Sequence, residues 1–254
     1  MRFKFIALIA AAAFAGCLAS PSRAAELSAE QKSEFGKFIH EYLLSNPQVI
    51  KEAIDELEKR EKAEEATARE KLLAKEADKV YNSPNQAVVG NPDGEVTLVE
   101  FFDYNCGYCK QSLTNVAKLI EGDPKLRVVL KDFPILGPDS VEVAEVATAA
   151  RRQLKGQKFW EFHRKLLGLR GHVGKAQALA VVKELGGDAD QIEKEMKTPA
   201  THEALVEVEK LADQLRFTGT PSWIVGNEAI VGGLGFAEMK AKVDNMHKCG
   251  KTLC

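Results

Sequence analysis

The chain has 254 residues, 45% of them hydrophobic and 28% charged, with a formal net charge of -2. That composition is ordinary for a globular protein with a core of its own, and the length suits one large domain or a moderate domain with an appendage. It argues against a nucleic-acid binder, because neither a basic excess nor a basic stripe with interleaved aromatics is present.

The first residues read as an address. Arg2 and Lys4 make a basic start, residues 5–15 a short apolar run, and Ser22-Arg23-Ala24 the small-residue pattern of a cleavage site. Residues 1–25 are expected to be a signal peptide, its apolar run too short for a comfortable membrane span. The mature protein then leaves the reducing cytosol. Phe14-Ala15-Gly16-Cys17 offers a second reading, a lipoprotein box that would keep Cys17 as a lipid anchor. With the leader removed, Cys106, Cys109, Cys249 and Cys254 remain, an even number that suits an oxidising compartment.

Residues 26–82 read as a helical arm and linker. Ser28 and Gln31 have capping-box spacing, followed by a stripe of Phe35, Phe38, Ile39, Tyr42 and Leu43. Asn46-Pro47 predicts an N-cap and a first-turn proline for a second helix, with Val49, Ile50, Ala53, Ile54 and Leu57 on one face. From 58 to 79 charges and alanines predict a solvated spacer, broken by Tyr81-Asn82-Ser83-Pro84-Asn85. Two short amphipathic helices cannot be stable alone, so their stripes need a partner: the main domain or copies of the same arm. The charged spacer favours copies, hence a homo-oligomer.

Residues 83–254 carry the chemistry. After a turn at Asn91-Pro92-Asp93-Gly94, Val96-Thr97-Leu98-Val99 reads as a buried strand, and Leu113, Val116, Ala117 and Ile120 as one face of a helix. Between them stands Cys106-Gly107-Tyr108-Cys109, a pair of cysteines at a strand-to-helix turn, the arrangement of a dithiol redox site. Free N–H groups and the positive end of the helix dipole favour an anion there, which makes Cys106 the attacking sulfur and Cys109 the resolving one. Two metal readings stand beside it. One is half of a zinc site, completed only by the distant His247, Cys249 and Cys254; the other uses both thiolates as soft ligands for copper(I) in metal tolerance.

Residues 126–130 predict a second buried strand, so strand, helix and strand form a parallel βαβ unit. Helical spacing dominates from 139 to 215, and its His163, His172 and His202 lack metal-ligand spacing. Gly219-Thr220-Pro221 ends this block; Ser222-Trp223-Ile224-Val225 and Ala229-Ile230-Val231 read as a hairpin around Gly226-Asn227, before a helix from 236 to about 247. The pattern predicts an α/β, thioredoxin-like fold with a helical insertion at about 138–216. Cys249 and Cys254 are candidates for a small structural disulfide, with a second redox pair as the alternative.

Residues 100–109 together with Gly219-Thr220-Pro221 resemble the DsbA-type bacterial thiol–disulfide oxidoreductases, and among them the ScsC-like members with an N-terminal helical extension. The likeness covers residues 88–246, and Lys158-Phe159-Trp160-Glu161-Phe162-His163 adds to it. It implies a periplasmic protein acting on cysteine-containing proteins through a reversible Cys106–Cys109 disulfide, with a membrane redox partner and no metal or organic cofactor. It implies a cis Pro221 facing the cysteines, with the backbone at Thr220 pairing with substrate as an added strand. It also implies a buried glutamate and lysine beneath the cysteines, where Glu100 and Lys131 fit; they would move a proton to or from Cys109, or form a plain strand-end ion pair. Gly107-Tyr108 stands where strongly oxidising members have Pro-His, and resembles the dipeptide of the DsbC-type isomerases. Tyrosine lacks the charge of a histidine, so the disulfide should be milder and isomerase or reductase activity favoured over a DsbA-like oxidase.

Overall fold

The computed structural model describes residues 27–254, so the signal-peptide reading and the Cys17 alternative lie outside the described residues. Two compact units divide between Glu58 and Lys59. In the first, α1 (Ala29–Ser45) begins with the capping box its sequence predicts: the Ser28 hydroxyl accepts from Gln31 N at 3.1 Å and the Gln31 side chain accepts from Ser28 N at 2.9 Å. No residue of α1 is buried, and Phe35, Phe38, Ile39 and Tyr42 stand exposed. Asn46 stands between the two helices, its carbonyl accepting from Val49 N at 3.1 Å. Its side chain donates back to Tyr42 O at 2.9 Å and closes α1. α2 (Gln48–Lys75) then runs unbroken, so the second helix and the charged spacer are one element.

In the second unit the spacer reading fails over its last turns. Leu73 is buried and Leu72 packs beside it, and a π-helix, Asp78–Asn82, buries Val80. These apolar residues cover one face of the sheet, a contact that counting charges along the segment does not reveal.

That sheet has five strands among the described residues: β1 (Ala87–Gly90), β2 (Val96–Phe102), β3 (Leu126–Asp132), β4 (Ser222–Val225) and β5 (Glu228–Val231), in the order β1-β3-β2-β4-β5. β2 and β3 are parallel across α3 (Gly107–Gly122), as the βαβ pattern predicts, and the other pairs are antiparallel. β1 escapes the sequence pattern because four residues carry no period; its pairing with β3, Ala87 opposite Leu130, makes it a strand. Between β3 and β4 come α4 (Pro138–Gln153), α5 (Gln157–Gly168), α6 (Lys175–Glu184), α7 (Ala189–Glu195) and α8 (Pro199–Gln214), and α9 (Phe236–Cys249) closes the chain.

Strand residues alternate between faces. Leu98, Phe102, Val128, Leu130 and Trp223 meet α3, α5, α9 and the insertion on one face. Val99, Phe101, Val129 and Ile224 meet α8, Leu73 and Val80 on the other. Cys249 and Cys254 are joined in a disulfide that pins the tail beyond α9, where Asn245 also donates to Thr252 O at 3.0 Å. Among the described residues no helix is long and apolar enough to cross a membrane.

Candidate active site

β2 delivers the chain to a four-residue turn, 103–106, closed by Cys106 N donating to Asp103 O at 3.0 Å, and Cys106 becomes the N-cap of α3. The Cys106 sulfur accepts from Cys109 N at 3.4 Å, and as a thiol it donates to Thr220 O at 3.1 Å. The loop before β4 meets the dithiol through that contact, and its Thr220–Pro221 peptide is cis. Both cysteines are free thiols, Cys106 at 5% exposure and Cys109 at 0%.

Their acidities diverge. A hydrogen bond from the Cys109 thiol does most to lower Cys106 to about 5; burial opposes it, and Thr220 and the N–H groups of Cys109 and Tyr108 assist. Burial pushes the Cys109 thiol far up, helped by its bond to Cys106 and by the charge of Glu100. Helix-start amides therefore act as the sequence argument holds, but the neighbouring thiol acts more strongly. Tyr108 is 66% exposed and contributes its backbone rather than its ring, while Gly107 has open space around it.

Glu100 and Lys131 do not form the expected pair, as proton carriers or as a strand-end ion pair. Glu100 aligns with Leu130 and Trp223, whereas Lys131 aligns with Phe101, so one residue of offset sends them to opposite faces of the sheet. Lys131 lies on the far face, donating to Lys79 O at 2.6 Å and to the Gln86 side chain at 2.8 Å, and burial lowers it to about 8. It secures the linker rather than the dithiol. Glu100 alone stays on the dithiol side, raised to about 8 by burial first and by the charge of Cys106 second.

This has a consequence for stability in the oxidised protein, where neither thiol titrates. Without the Cys106 charge, burial, the larger cause, still holds the Glu100 proton well above the ordinary carboxylate range in the fold, whereas the unfolded chain releases it near 4.3. The fold binds the extra proton between those limits, so stability falls as pH rises through them. Glu100→Gln should flatten that decline in urea midpoints taken across the window; an unchanged slope would contradict a buried carboxyl.

Sequence reasoning missed the polar cluster around the turn. Asp103, 2% exposed, accepts from Asn105 N and Ser140 Oγ at 2.8 Å, Ile135 N at 2.9 Å and Leu136 N at 3.0 Å. Asn105 accepts from Val173 N at 2.7 Å and donates to Val173 O at 3.0 Å and Ser140 Oγ at 3.1 Å. The available signal was an Asp-x-Asn in a turn between apolar elements, where buried polar groups need partners. Of the three histidines set aside above, His163 is buried among Phe102, Tyr104 and Trp160; its Nδ1 is 3.3 Å from Tyr104 Oη, and burial lowers it to about 3, which keeps it neutral.

The candidate zinc partners Cys249 and Cys254 are bonded to each other. Among the described residues no group of three or more His, Cys, Asp and Glu side chains is gathered to hold a metal ion.

The model of the DSBA-like thioredoxin domain matches residues 97–244, and that of the copper resistance protein ScsC N-terminal domain matches residues 31–64. A thioredoxin-like oxidoreductase from Silicibacter pomeroyi DSS-3 is 37% identical, with 68% of this chain and 98% of that one covered and a TM-score of 0.63. Proteus mirabilis ScsC in a transitional conformation is 27% identical, with coverage of 86% and 96% and a TM-score of 0.62. The Na(+)/H(+) antiporter NhaA 1 of Salinispora arenicola is 28% identical over 158 residues, 61% of this chain; the chain spans 24% of the length of that curated relative.

Proposed function

This chain belongs to the family of DSBA-like thioredoxin domains, thiol–disulfide oxidoreductases by kind, and from that premise we propose that it is a periplasmic protein disulfide isomerase or reductase. The observation that carries the reading is the contrast between two thiols at one helix start, Cys106 held near 5 and Cys109 far above its ordinary value.

At neutral pH Cys106 is a thiolate. It attacks one sulfur of a substrate disulfide; that S–S bond breaks, a mixed disulfide forms, and the departing substrate sulfur leaves as a thiolate that takes a proton from water. In isomerisation the freed substrate thiolate attacks another substrate disulfide until Cys106 is expelled. In reduction Cys109 gives its proton to water and attacks the Cys106 sulfur. Cys106–Cys109 then closes, and the substrate leaves with the two electrons of the dithiol. A membrane redox partner resets the pair, and the cycle needs no metal or organic cofactor. Thr220 and Pro221 hold the substrate peptide beside Cys106 as an added strand.

Two features favour shuffling over oxidation. A Cys106 value of about 5 lies between about 7 for thioredoxin and about 3.5 for the strongly oxidising DsbA, so the reduced form is stabilised only part of the way. The exposed arm stripe suits association of copies, which brings several dithiols to one substrate. The leader-like N-terminus and the joined Cys249 and Cys254 agree with an oxidising compartment.

Scrambled ribonuclease tests the direction. The reduced protein, without added oxidant, should restore ribonuclease activity at catalytic ratios. If it does not, while the oxidised protein readily oxidises reduced ribonuclease, the oxidase reading replaces this one.

A further inference from the structure

The buried Asp103 and Ser140 and the half-buried Asn105 tie the dithiol turn to the helical insertion, and the redox cycle above uses none of them. We propose that Asp103 and Asn105 are positioning residues that hold the Cys106 sulfur at the start of α3 and opposite Thr220, by clamping the turn to the first turn of α4 and to the segment between α5 and α6. The inference rests on Cys106 being the attacking sulfur.

The clamp has a specific geometry. The Asn105 amide grips Val173 at two points, accepting its N–H at 2.7 Å and donating to its carbonyl at 3.0 Å, as a neighbouring strand would. Only a carboxamide offers a donor and an acceptor in that fork, and glutamine would reach one methylene too far. Ser140 closes a ring, donating to Asp103 at 2.8 Å and accepting from Asn105 at 3.1 Å. Asp103 also takes the N–H groups of Ile135 and Leu136, so three other stretches of chain, at 135–136, 140 and 173, converge on these two turn residues. Asp103, Ser140 and Val173 are buried, where a lost partner is not replaced by bulk water.

The sulfur depends on this clamp because both of its hydrogen bonds run to groups beyond the turn that carries it. Cys109 N lies 3.4 Å from the Cys106 sulfur, and both it and the contact to Thr220 are set by where the turn ends. Apart from the clamp, the turn is closed by the bond from Cys106 N to Asp103 O and the short-range contact of Asn105 N with Asp103. A turn freed to move by a few tenths of an ångström weakens the hydrogen bonds that hold the thiolate.

The test is a thiolate titration of the reduced full-length protein, followed by ultraviolet absorbance, together with its reduction potential. Asn105→Ala should raise the Cys106 midpoint by about one pH unit and make the dithiol about tenfold more reducing in its equilibrium constant. Ser140→Ala should move both in the same direction by less, although Ser140 makes no hydrogen bond to either cysteine. If Asn105→Ala fails to fold, Ser140→Ala carries the test. Folded variants that keep the midpoint and potential of the parent protein overturn the positioning role. The titration reads the sulfur itself, so a parent protein that leaves scrambled ribonuclease untouched would overturn the functional reading alone.

Discussion

Cys106→Ser should abolish disulfide reduction and isomerisation, and Cys109→Ser should stop the same cycle halfway. The first removes the thiolate that opens the substrate disulfide, and loss of an attacking group of this kind lowers turnover by a factor of about a thousand or more. The second leaves Cys106 able to attack but removes the sulfur that releases it. Incubated with a disulfide-containing protein, Cys109→Ser should accumulate a mixed disulfide, visible as one added substrate mass on a non-reducing gel and lost on reduction. The variant should also react with alkylating reagents down to lower pH than an ordinary thiol does, since the serine hydroxyl can donate where the Cys109 thiol makes the largest contribution to the acidity of Cys106. Equal adduct yields from the two variants would contradict the division of labour between the sulfurs.

Phe35→Glu combined with Phe38→Glu should dissociate the protein to a monomer and remove isomerisation while sparing reduction of a small peptide disulfide. Both rings stand on α1 at 58% and 62% exposure, and among the described residues none of α1 is buried. A phenylalanine buried at an interface contributes on the order of 2 kcal/mol or more. A carboxylate in its place carries a desolvation cost of several kcal/mol. Two such changes in every copy outweigh what the proposed association of α1 stripes gains. Light scattering reads the mass, and a parent protein that is already monomeric would sink the association model. A truncation used for the same purpose should stop at Glu58, because Leu72, Leu73 and Val80 belong to the core of the second unit.

Much of this protein is legible along its chain. The capping box at Ser28, the βαβ run through Cys106, the hairpin around Gly226 and the helices between 139 and 215 are local patterns. Each depends on residues within a turn or two of one another, and the amide groups at a helix start act on whatever side chain stands there. The dithiol and the order of its two sulfurs belong to the same class, since Cys106 and Cys109 lie on consecutive turns of one element.

Tertiary structure decided whatever depends on register or on distant partners. Glu100 and Lys131 look like a pair along the sequence, yet a single residue of strand offset puts a sheet between them. β1 exists because β3 pairs with it, and the end of α2 is core because the far face of the sheet needs covering. Asn105 meets Val173 across 68 residues of sequence, and Asp103 meets Ser140 across 37, so no local window contains either contact. The sequence by itself determined that two thiols stand at the start of one helix; the fold decided how acidic each is and what holds it in place, because burial and hydrogen bonding are properties of neighbours the chain brings together only by folding.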